Sequence, residues 1–229
     1  ADVAFVENAW MHDHLAQHMG EEHVVFAPPG VDINRFQPGG PPSAGEYILC
    51  VGRLADRRKN IRMLFEAYAN VRQNHRCQRP LVLAGLTGPP EKAWKYAERV
   101  GIRDHITFHK AVPVSDLPGL YQNAAVYVVS SDEEGLGLTV LEGMASGRPV
   151  VSTNCGGPAT TIVDGETGFL TPVGDPEALA TAIATVLQSP ERADEMGRAG
   201  RRRVETHFSL DATGQRFLSV YDQLLTPNS

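Results

Sequence analysis

The sequence predicts an α/β fold built on a doubly wound, mostly parallel sheet of the Rossmann-like type. From residue 47 onward, short and nearly continuous apolar runs recur, as is typical of strands buried on both faces of a parallel sheet. Between them lie segments whose apolar residues recur every three or four positions, which indicates a buried helical face. Such alternation is the pattern of an open doubly wound sheet, which binds ligands beyond the carboxyl ends of its strands.

Each predicted strand is an apolar run bounded by turn residues. A strand at 3–6 followed by a helix, and an apolar run at 24–27, precede a proline- and glycine-rich loop at 38–42 that marks a linker. The main sheet is predicted to contain the strands 47–51, 81–84, 106–108, 126–129, 149–152 and 168–171. Asn60 is suited to cap the first of three helical stripes, which lie at 61–71, 179–187 and 217–225.

Composition and charge exclude several classes of protein. The net charge is −6, and a general nucleic-acid binder is usually basic, so no nucleic-acid partner is expected. No apolar run approaches the ~18 residues that a membrane span requires, and residues 1–6 do not resemble a signal peptide. Because Cys50, Cys77 and Cys155 lack metal-binding spacing, we expect reduced, mostly buried thiols in a cytoplasmic protein.

Basic residues follow the first strand of the predicted main sheet. Gly52 stands directly after the strand, where the absence of a side chain lets a ligand approach the backbone. The cations Arg53, Arg57, Arg58 and Lys59 come next, immediately before a helix. Cations beside a helix N-terminus suit an anion such as a phosphate, although a solvated basic loop is an equally good interpretation.

A glycine turn and two carboxylates follow the strand at 126–129. Gly135 and Gly137 open a helix whose free N–H groups could hold phosphate oxygens. Glu142 comes eight residues after Glu134, on the second turn of that helix, and both carboxylates could face one cleft. Carboxylates accept hydrogen bonds from sugar hydroxyls, and a glutamate on an apolar helix is costly to bury alone. The alternative for Glu142 is a structural partner, either a backbone N–H or an arginine.

Several ordered segments of the chain resemble a known family. Residues 131–151 contain two glutamates separated by seven residues, followed by Ala-Ser-Gly-Arg-Pro-Val-Val. Further matching segments lie at 29–32, 52–54, 156–158 and 164–168. Taken in this order, they resemble the retaining nucleotide-sugar glycosyltransferases of family four, which are built from two Rossmann domains.

The resemblance implies a hexosyltransferase that uses a UDP or GDP sugar as substrate, needs no cofactor and retains the sugar's configuration. Its acceptor, a sugar, glycan or lipid, is not identified. The chain would be the C-terminal, donor-binding half. Residues 1–44 would be the end of an N-terminal domain plus the linker, 45–208 the donor-binding domain, and 209–229 a C-terminal helix. Because an acceptor domain would be missing, the isolated chain is expected to bind donor and to transfer weakly or not at all.

The resemblance also implies roles for individual residues. Arg53 and Lys59 would hold the diphosphate, and together with Glu134, which would touch the transferred sugar, they are the expected catalytic residues. Glu142 would bind the ribose hydroxyls. Residues 111–113 would contact the base. The other expected donor-binding residues are Gly52, Arg58, Val112, Gly135, Gly137, Leu138 and Thr139.

The chain departs from the family's pattern at three positions. The interval from Arg53 to Lys59 is one residue longer than usual, so Arg58 could replace the lysine. Leu136 stands where the family usually has phenylalanine, and Thr161 stands where it usually has glutamate.

Charge stabilisation without a metal is expected. The sequence contains no Asp-x-Asp pair, and fixed cations can stabilise a leaving diphosphate, although the acidic run 132–134 leaves a metal site as an alternative. Three neighbouring histidines on the first helix are interpreted as a solvated face. The run 201–203, Arg-Arg-Arg, is also interpreted as a solvated helix face, with a peripheral membrane contact as the alternative. Leu138, Val140 and Leu141 are expected in the core.

Two other functions remain open from the residues. One is a nucleotide-sugar-binding module that catalyses nothing, and the other is a nucleotide-sugar epimerase, which needs no acceptor. A phosphorylase would require a cofactor lysine, and no lysine stands out for that role. The combination of Glu134 and Glu142 with Arg53 favours the transferase.

Overall fold

A computed structural model of the protein describes residues 3–226. In this part of the chain, six parallel strands form one sheet. They are β3 (Tyr47–Val51), β4 (Leu81–Gly85), β5 (Ile106–Lys110), β6 (Ala124–Val129), β7 (Val150–Thr153) and β8 (Gly168–Thr171). A separate parallel pair precedes them, formed by β1 (Ala4–Val6) and β2 (Val24–Phe26).

The order of the strands confirms the predicted doubly wound α/β fold. Across the sheet the strands run β5-β4-β3-β6-β7-β8, so the order reverses between β3 and β6. Such a reversal leaves a crevice at the carboxyl ends of the two central strands. Predicted strand ends differ from the observed ones by at most two residues. The differences of two residues are at the end of β5, where His109 and Lys110 are polar and exposed, and at the start of β6.

Helices connect the strands and cover both faces of the sheet. The helices within residues 3–226 are α1 (Ala9–Met19), α2 (Ile61–Asn74), α3 (Glu91–Arg99), α4 (Leu117–Gln122), α5 (Leu138–Ala145), α6 (Gly157–Thr161), α7 (Pro176–Gln188), α8 (Pro190–His207) and α9 (Leu210–Leu225). Asn60 caps α2 as predicted, because its side-chain oxygen accepts a hydrogen bond from the backbone N–H of Met63 at 3.2 Å.

The core consists of two layers, one on each face of the sheet. Ile48 and Cys50 of β3 pack into the layer beneath α2 and α7, whereas Leu49 between them packs into the layer beneath α5. This alternation follows from the two-residue period of a strand and explains why β3 reads as a continuous apolar run. All three cysteines lie in the described part of the chain and are free thiols, and Cys50 and Cys155 are buried, which confirms the prediction.

Arg201 fixes the linker to the main domain. The two N–H groups of its Nη1 are shared among the carbonyl oxygens of Ile33, Phe36 and Ala145, which lie 3.1, 2.6 and 2.7 Å away. The prediction of a solvated face is therefore wrong for Arg201, whose carbonyl partners are too distant in sequence for a helical pattern to reveal. It is also wrong for Arg203, which donates to the carbonyls at 160 and 161.

No helix within residues 3–226 has both the length and the apolar character required to cross a bilayer. Of the three arginines at 201–203, Arg202 alone is exposed.

Replacing Arg201 by methionine is expected to lower the free energy of unfolding by about 2 kcal/mol or more, because three carbonyls lose a charged donor. Urea unfolding followed by circular dichroism measures this quantity. Arg202→Met is the matched control on the same helix and should change it by less than about 0.5 kcal/mol. Equal losses in the two variants would show that the linker is not fixed by Arg201.

Candidate functional site

The candidate site lies at the carboxyl ends of β3 and β6, where the strand order reverses. Two loops meet there, the β3 loop (residues 52–60) and the β6 loop (residues 130–137). Both loops lead into helices, α2 and α5, so two helix N-termini lie at this edge of the sheet. The sequence analysis expects ligands to bind at the strand ends, and this crevice is where that binding is expected.

An ion pair joins the two loops across the crevice. Nζ of Lys59 lies 2.5 Å from Oε1 of Glu134, and the two side chains are 17 % and 13 % exposed. Ser131 Oγ donates to the same oxygen at 2.6 Å. Within residues 3–226, the Glu134 carboxylate accepts two hydrogen bonds, and both are accepted by Oε1. Oε2 therefore remains available to a ligand.

Backbone contacts reinforce this junction. Ser130 Oγ donates to the carbonyl of Lys59 at 2.9 Å, and the backbone N–H of Asp132 donates to the carbonyl of Arg58 at 2.6 Å. Asn60, besides capping α2, donates through Nδ2 to Asp132 at 2.8 Å. The acidic residue at 132 is thus occupied in holding the loops together.

Arg53 and Arg58 both contact Asp56 instead of Glu134. Arg58 Nη2 lies 2.9 Å from the carboxylate and Arg53 Nη2 lies 3.8 Å from it. The hydrogen bonds from Arg58 lower the pKa of Asp56 to about 2. Lys59 instead passes beside Gly52, where an added Cβ would stand 3.6 Å from the lysine Cε. This geometry favours Lys59 over Arg58 as the cation of the crevice.

The β6 loop packs tightly against the segment that follows β7. The N–H of Glu134 donates to the carbonyl of Cys155 at 3.0 Å, and the N–H of Gly157 donates to the carbonyl of Glu134 at 3.0 Å. A Cβ at Gly157 would stand 2.3 Å from the carbonyl oxygen of Gly135, closer than real contacts allow. Glycine is therefore required here to support the loop that carries Glu134.

A cavity of about 360 Å³ opens beside Glu134. Gly135 and Gly156 line one side of it, and Asn8 and Trp10 from the start of α1 line another. Asn8 Nδ2 donates to the carbonyl of Gly135 at 3.0 Å, which ties this segment to the β6 loop. The volume lies within the range of small-molecule sites.

Helix α5 begins without a side-chain cap, so its first backbone N–H groups are left without a side-chain acceptor. Gly137, with φ 82°, precedes the helix and provides no side-chain cap. The N–H groups of Leu138 and Thr139 have no intrahelical acceptor, as in the first turn of any helix. Leu138 is 48 % exposed, so its expected place in the core is wrong. It precedes the buried Val140 by two positions, about 200° around the helix, which turns it away from the sheet.

Glu142 has a partner that the sequence analysis missed. Tyr121 on α4 donates through its hydroxyl to Oε2 at 2.7 Å. Burial raises the pKa of Glu142, and the Tyr121 hydrogen bond and the charge of Arg35 act in the opposite direction. Glu134 and Glu142 thus have separate partners in the structure. The available signal was a tyrosine three residues before the buried strand β6.

Two further predicted positions have local structural contacts. Val112 is half-buried in the loop after β5, where Ala111 adopts φ 53° and its N–H donates to the carbonyl of Gly85 at 2.9 Å. Thr161, which replaces the family's glutamate, is buried and donates to the carbonyl of Pro158 at 3.2 Å. Within residues 3–226, no group of three or more His, Cys, Asp or Glu side chains is arranged to hold a metal ion.

Gly157→Ala is expected to lower the free energy of unfolding by about 2 kcal/mol, because the added methyl group collides with the β6 loop backbone. Thermal unfolding measures the effect. Gly214→Ala on α9 is the matched control, since a Cβ there meets no atom within 4 Å, and it should be neutral or slightly stabilising. A neutral result for Gly157→Ala would contradict the described loop packing.

Comparison with known proteins identifies the family. The family model described as "Glycosyl transferases group 1" matches residues 32–203. The D-inositol 3-phosphate glycosyltransferase of Segniliparus rotundus is 32 % identical over 91 % of this chain and 49 % of the relative. A GDP-mannose-dependent mannosyltransferase of Mycolicibacterium smegmatis, which acts on a phosphatidylinositol monomannoside according to its name, is 32 % identical over 92 % of this chain and 58 % of its own.

Solved structures give the same fold. Sucrose-phosphate synthase from Thermosynechococcus elongatus aligns with a TM-score of 0.85 at 30 % identity, over 98 % of this chain and 58 % of that one. HepE of Anabaena, solved with UDP and glucose, aligns with a TM-score of 0.83 at 19 % identity, over 97 % and 64 %. The chain spans about half the length of the curated relatives it matches. The chain belongs to the group 1 glycosyl transferase family.

Proposed function

We propose that this chain is the donor-binding half of a retaining hexosyltransferase that takes a UDP or GDP sugar. The observation that carries the proposal is the Lys59–Glu134 ion pair beside the free N-terminus of α5, at the point where the strand order reverses. A cation, free N–H groups and a carboxylate with one available oxygen together suit a sugar diphosphate. The names of the relatives support both nucleotides, since one is GDP-mannose-dependent and HepE was solved with UDP.

The diphosphate would bind between the β3 loop and the start of α5. Lys59, Arg53 and the first N–H groups of α5 would stabilise the negative charge that builds up as the sugar–phosphate bond breaks. For this, Lys59 must exchange its contact with Glu134 for a phosphate oxygen. Arg53 is 71 % exposed and only 3.8 Å from Asp56, so it is free to turn toward the ligand.

The sugar would lie in the cavity beside Glu134. With Lys59 on the phosphate, the Glu134 carboxylate would accept hydrogen bonds from sugar hydroxyls and face the positive charge that develops on the ring. Glu142 would bind the ribose hydroxyls, and the loop at 111–113 would contact the base. Gly52 would admit the diphosphate close to the backbone. Retention of configuration is proposed from the family alone.

Transfer is proposed to proceed without a divalent metal. The fixed cations of the β3 loop would supply the positive charge that a metal provides in other transferases. Asp132, the first residue of the acidic run, is already bonded to Asn60. A cytoplasmic location is proposed because the three cysteines are free thiols.

A second, acceptor-binding domain is proposed to complete the enzyme. The curated relatives are about twice as long as this chain. The β1–β2 pair is a two-stranded parallel sheet, whereas parallel sheets are usually larger and buried on both faces. Residues of α1 are all partly or fully exposed, and Leu218, Tyr221 and Leu224 on α9 are at least half exposed. These surfaces suit contact with such a domain.

The proposed division of the chain is 1–44, 45–208 and 209–229. Helix α9 packs on the first of these segments, because the ring of Phe217 lies 4.6 Å from that of Phe5 on β1. The β1–β2 pair and α9 would therefore move with the acceptor domain, whereas the linker residues bound by Arg201 would stay with the donor-binding domain. The isolated chain would bind donor but transfer little sugar.

Calorimetric titration with UDP, GDP and ADP is expected to detect binding of one nucleotide class, unchanged by a chelator. Lys59→Met should weaken that binding by roughly tenfold or more, because a charge-assisted contact with the diphosphate is lost. Lys95→Met is the control for loss of a lysine charge away from the crevice, since Lys95 forms an exposed ion pair with Glu91 on α3. The proposal would be contradicted by loss of binding with chelator, by equal effects of both substitutions, or by no binding.

A further inference from the structure

Glu142 lies where three segments of the chain meet. It is the half-buried carboxylate of an otherwise largely apolar helix, α5. The Tyr121 hydroxyl occupies Oε2 at 2.7 Å, and in the described part of the chain no hydrogen bond ends on Oε1. Oε1 is open to solvent, so it is the oxygen at which a ligand hydroxyl can replace water as the hydrogen-bond donor.

Tyr121 has little freedom to point elsewhere. Its side chain is fully buried, with the ring centroid 5.7 Å from that of Phe36 and 5.3 Å from that of Tyr127. A buried tyrosine hydroxyl needs a hydrogen-bond partner, and Glu142 provides it. The packing of the ring therefore fixes the direction from which the hydroxyl holds the carboxylate.

The linker completes the wall around this pair. Phe36 contributes the edge-on contact to Tyr121, and the guanidinium carbon of Arg35 lies 5.4 Å from the Phe36 ring centroid. Arg35 also donates to the carbonyl of Val114, in the loop that leads into α4. Because Arg201 binds the carbonyls of both Phe36 and Ala145, the linker is attached to the end of α5 as well.

We propose that Tyr121 is a positioning residue for Glu142, held in place by the linker residues Arg35 and Phe36, and that the site consequently selects ribonucleoside over 2′-deoxyribonucleoside diphosphates. This inference rests on the proposed function, since it takes Glu142 as the residue that binds ribose. With Oε2 held by Tyr121, Oε1 faces the ligand in one orientation. A 2′-deoxy ligand would displace water from this oxygen without supplying the 2′-hydroxyl donor in its place.

The test compares matched ligands and matched variants by calorimetry. UDP with dUDP, and GDP with dGDP, are titrated into the wild-type chain, Tyr121→Phe and Tyr68→Phe. Tyr68 is an equally buried tyrosine, on α2, whose hydroxyl donates to the carbonyls of Arg79 and His105 instead. The wild type should prefer the ribonucleotide by about tenfold, Tyr121→Phe by only about twofold, and Tyr68→Phe as strongly as the wild type.

The outcomes separate this inference from the proposed function. Three results would overturn the positioning role while donor binding stands. The wild type could show no preference for the ribonucleotide, Tyr121→Phe could keep the full preference, or Tyr68→Phe could lose as much of it as Tyr121→Phe. Failure of the wild type to bind any of the four nucleotides would overturn the proposed function and this role with it. If Tyr121→Phe does not fold, Arg35→Gln carries the same prediction, a reduced preference, and an unchanged preference there would overturn the inference.

Discussion

The ion pair between Lys59 and Glu134 is the contact on which the candidate site depends. It joins the loops of the two central strands at the one place where a doubly wound sheet leaves a crevice. Both side chains are more than four-fifths buried, so separating them without a replacement partner leaves a poorly solvated charge. In the proposed function, a sugar diphosphate would supply both replacements, with phosphate oxygens for the lysine and hydroxyls for the glutamate. Without a ligand, the lysine and glutamate neutralise each other and hold the two loops together. A bound donor would replace each partner in turn.

Sequence patterns predicted the sheet and the positions of the candidate residues on their loops and helices, because these depend on local spacing. Apolar runs placed every strand of the main sheet to within two residues, and the interval from Glu134 to Glu142 placed the second carboxylate on α5. Patterns could not reveal the partners of Arg201, which lie up to 168 residues away. The same reason hid Tyr121, since a buried tyrosine before a strand looks like core until its hydroxyl is seen on a carboxylate.

The linker is part of the donor-side architecture as well as a connection. Asp32 begins a turn in which its side chain accepts from the N–H groups of Asn34 and Arg35, and this turn presents Phe36 to the core beneath α5. The linker is thereby attached to the end of α5, the helix that carries Glu142. The same side chain, Arg201, thus contacts both the linker and the end of α5.

Hydrogen–deuterium exchange of the chain with and without saturating UDP or GDP tests the central claim most directly. Bound nucleotide is predicted to slow exchange of backbone amides in the β3 loop, residues 52–60, and from the β6 loop into α5, residues 134–142. The exchange rates of amides at 198–202, which border a separate cavity between the linker loop 38–42 and α8, should not change. Slowed exchange confined to 198–202, or unchanged exchange in both loops under saturation, would contradict the account.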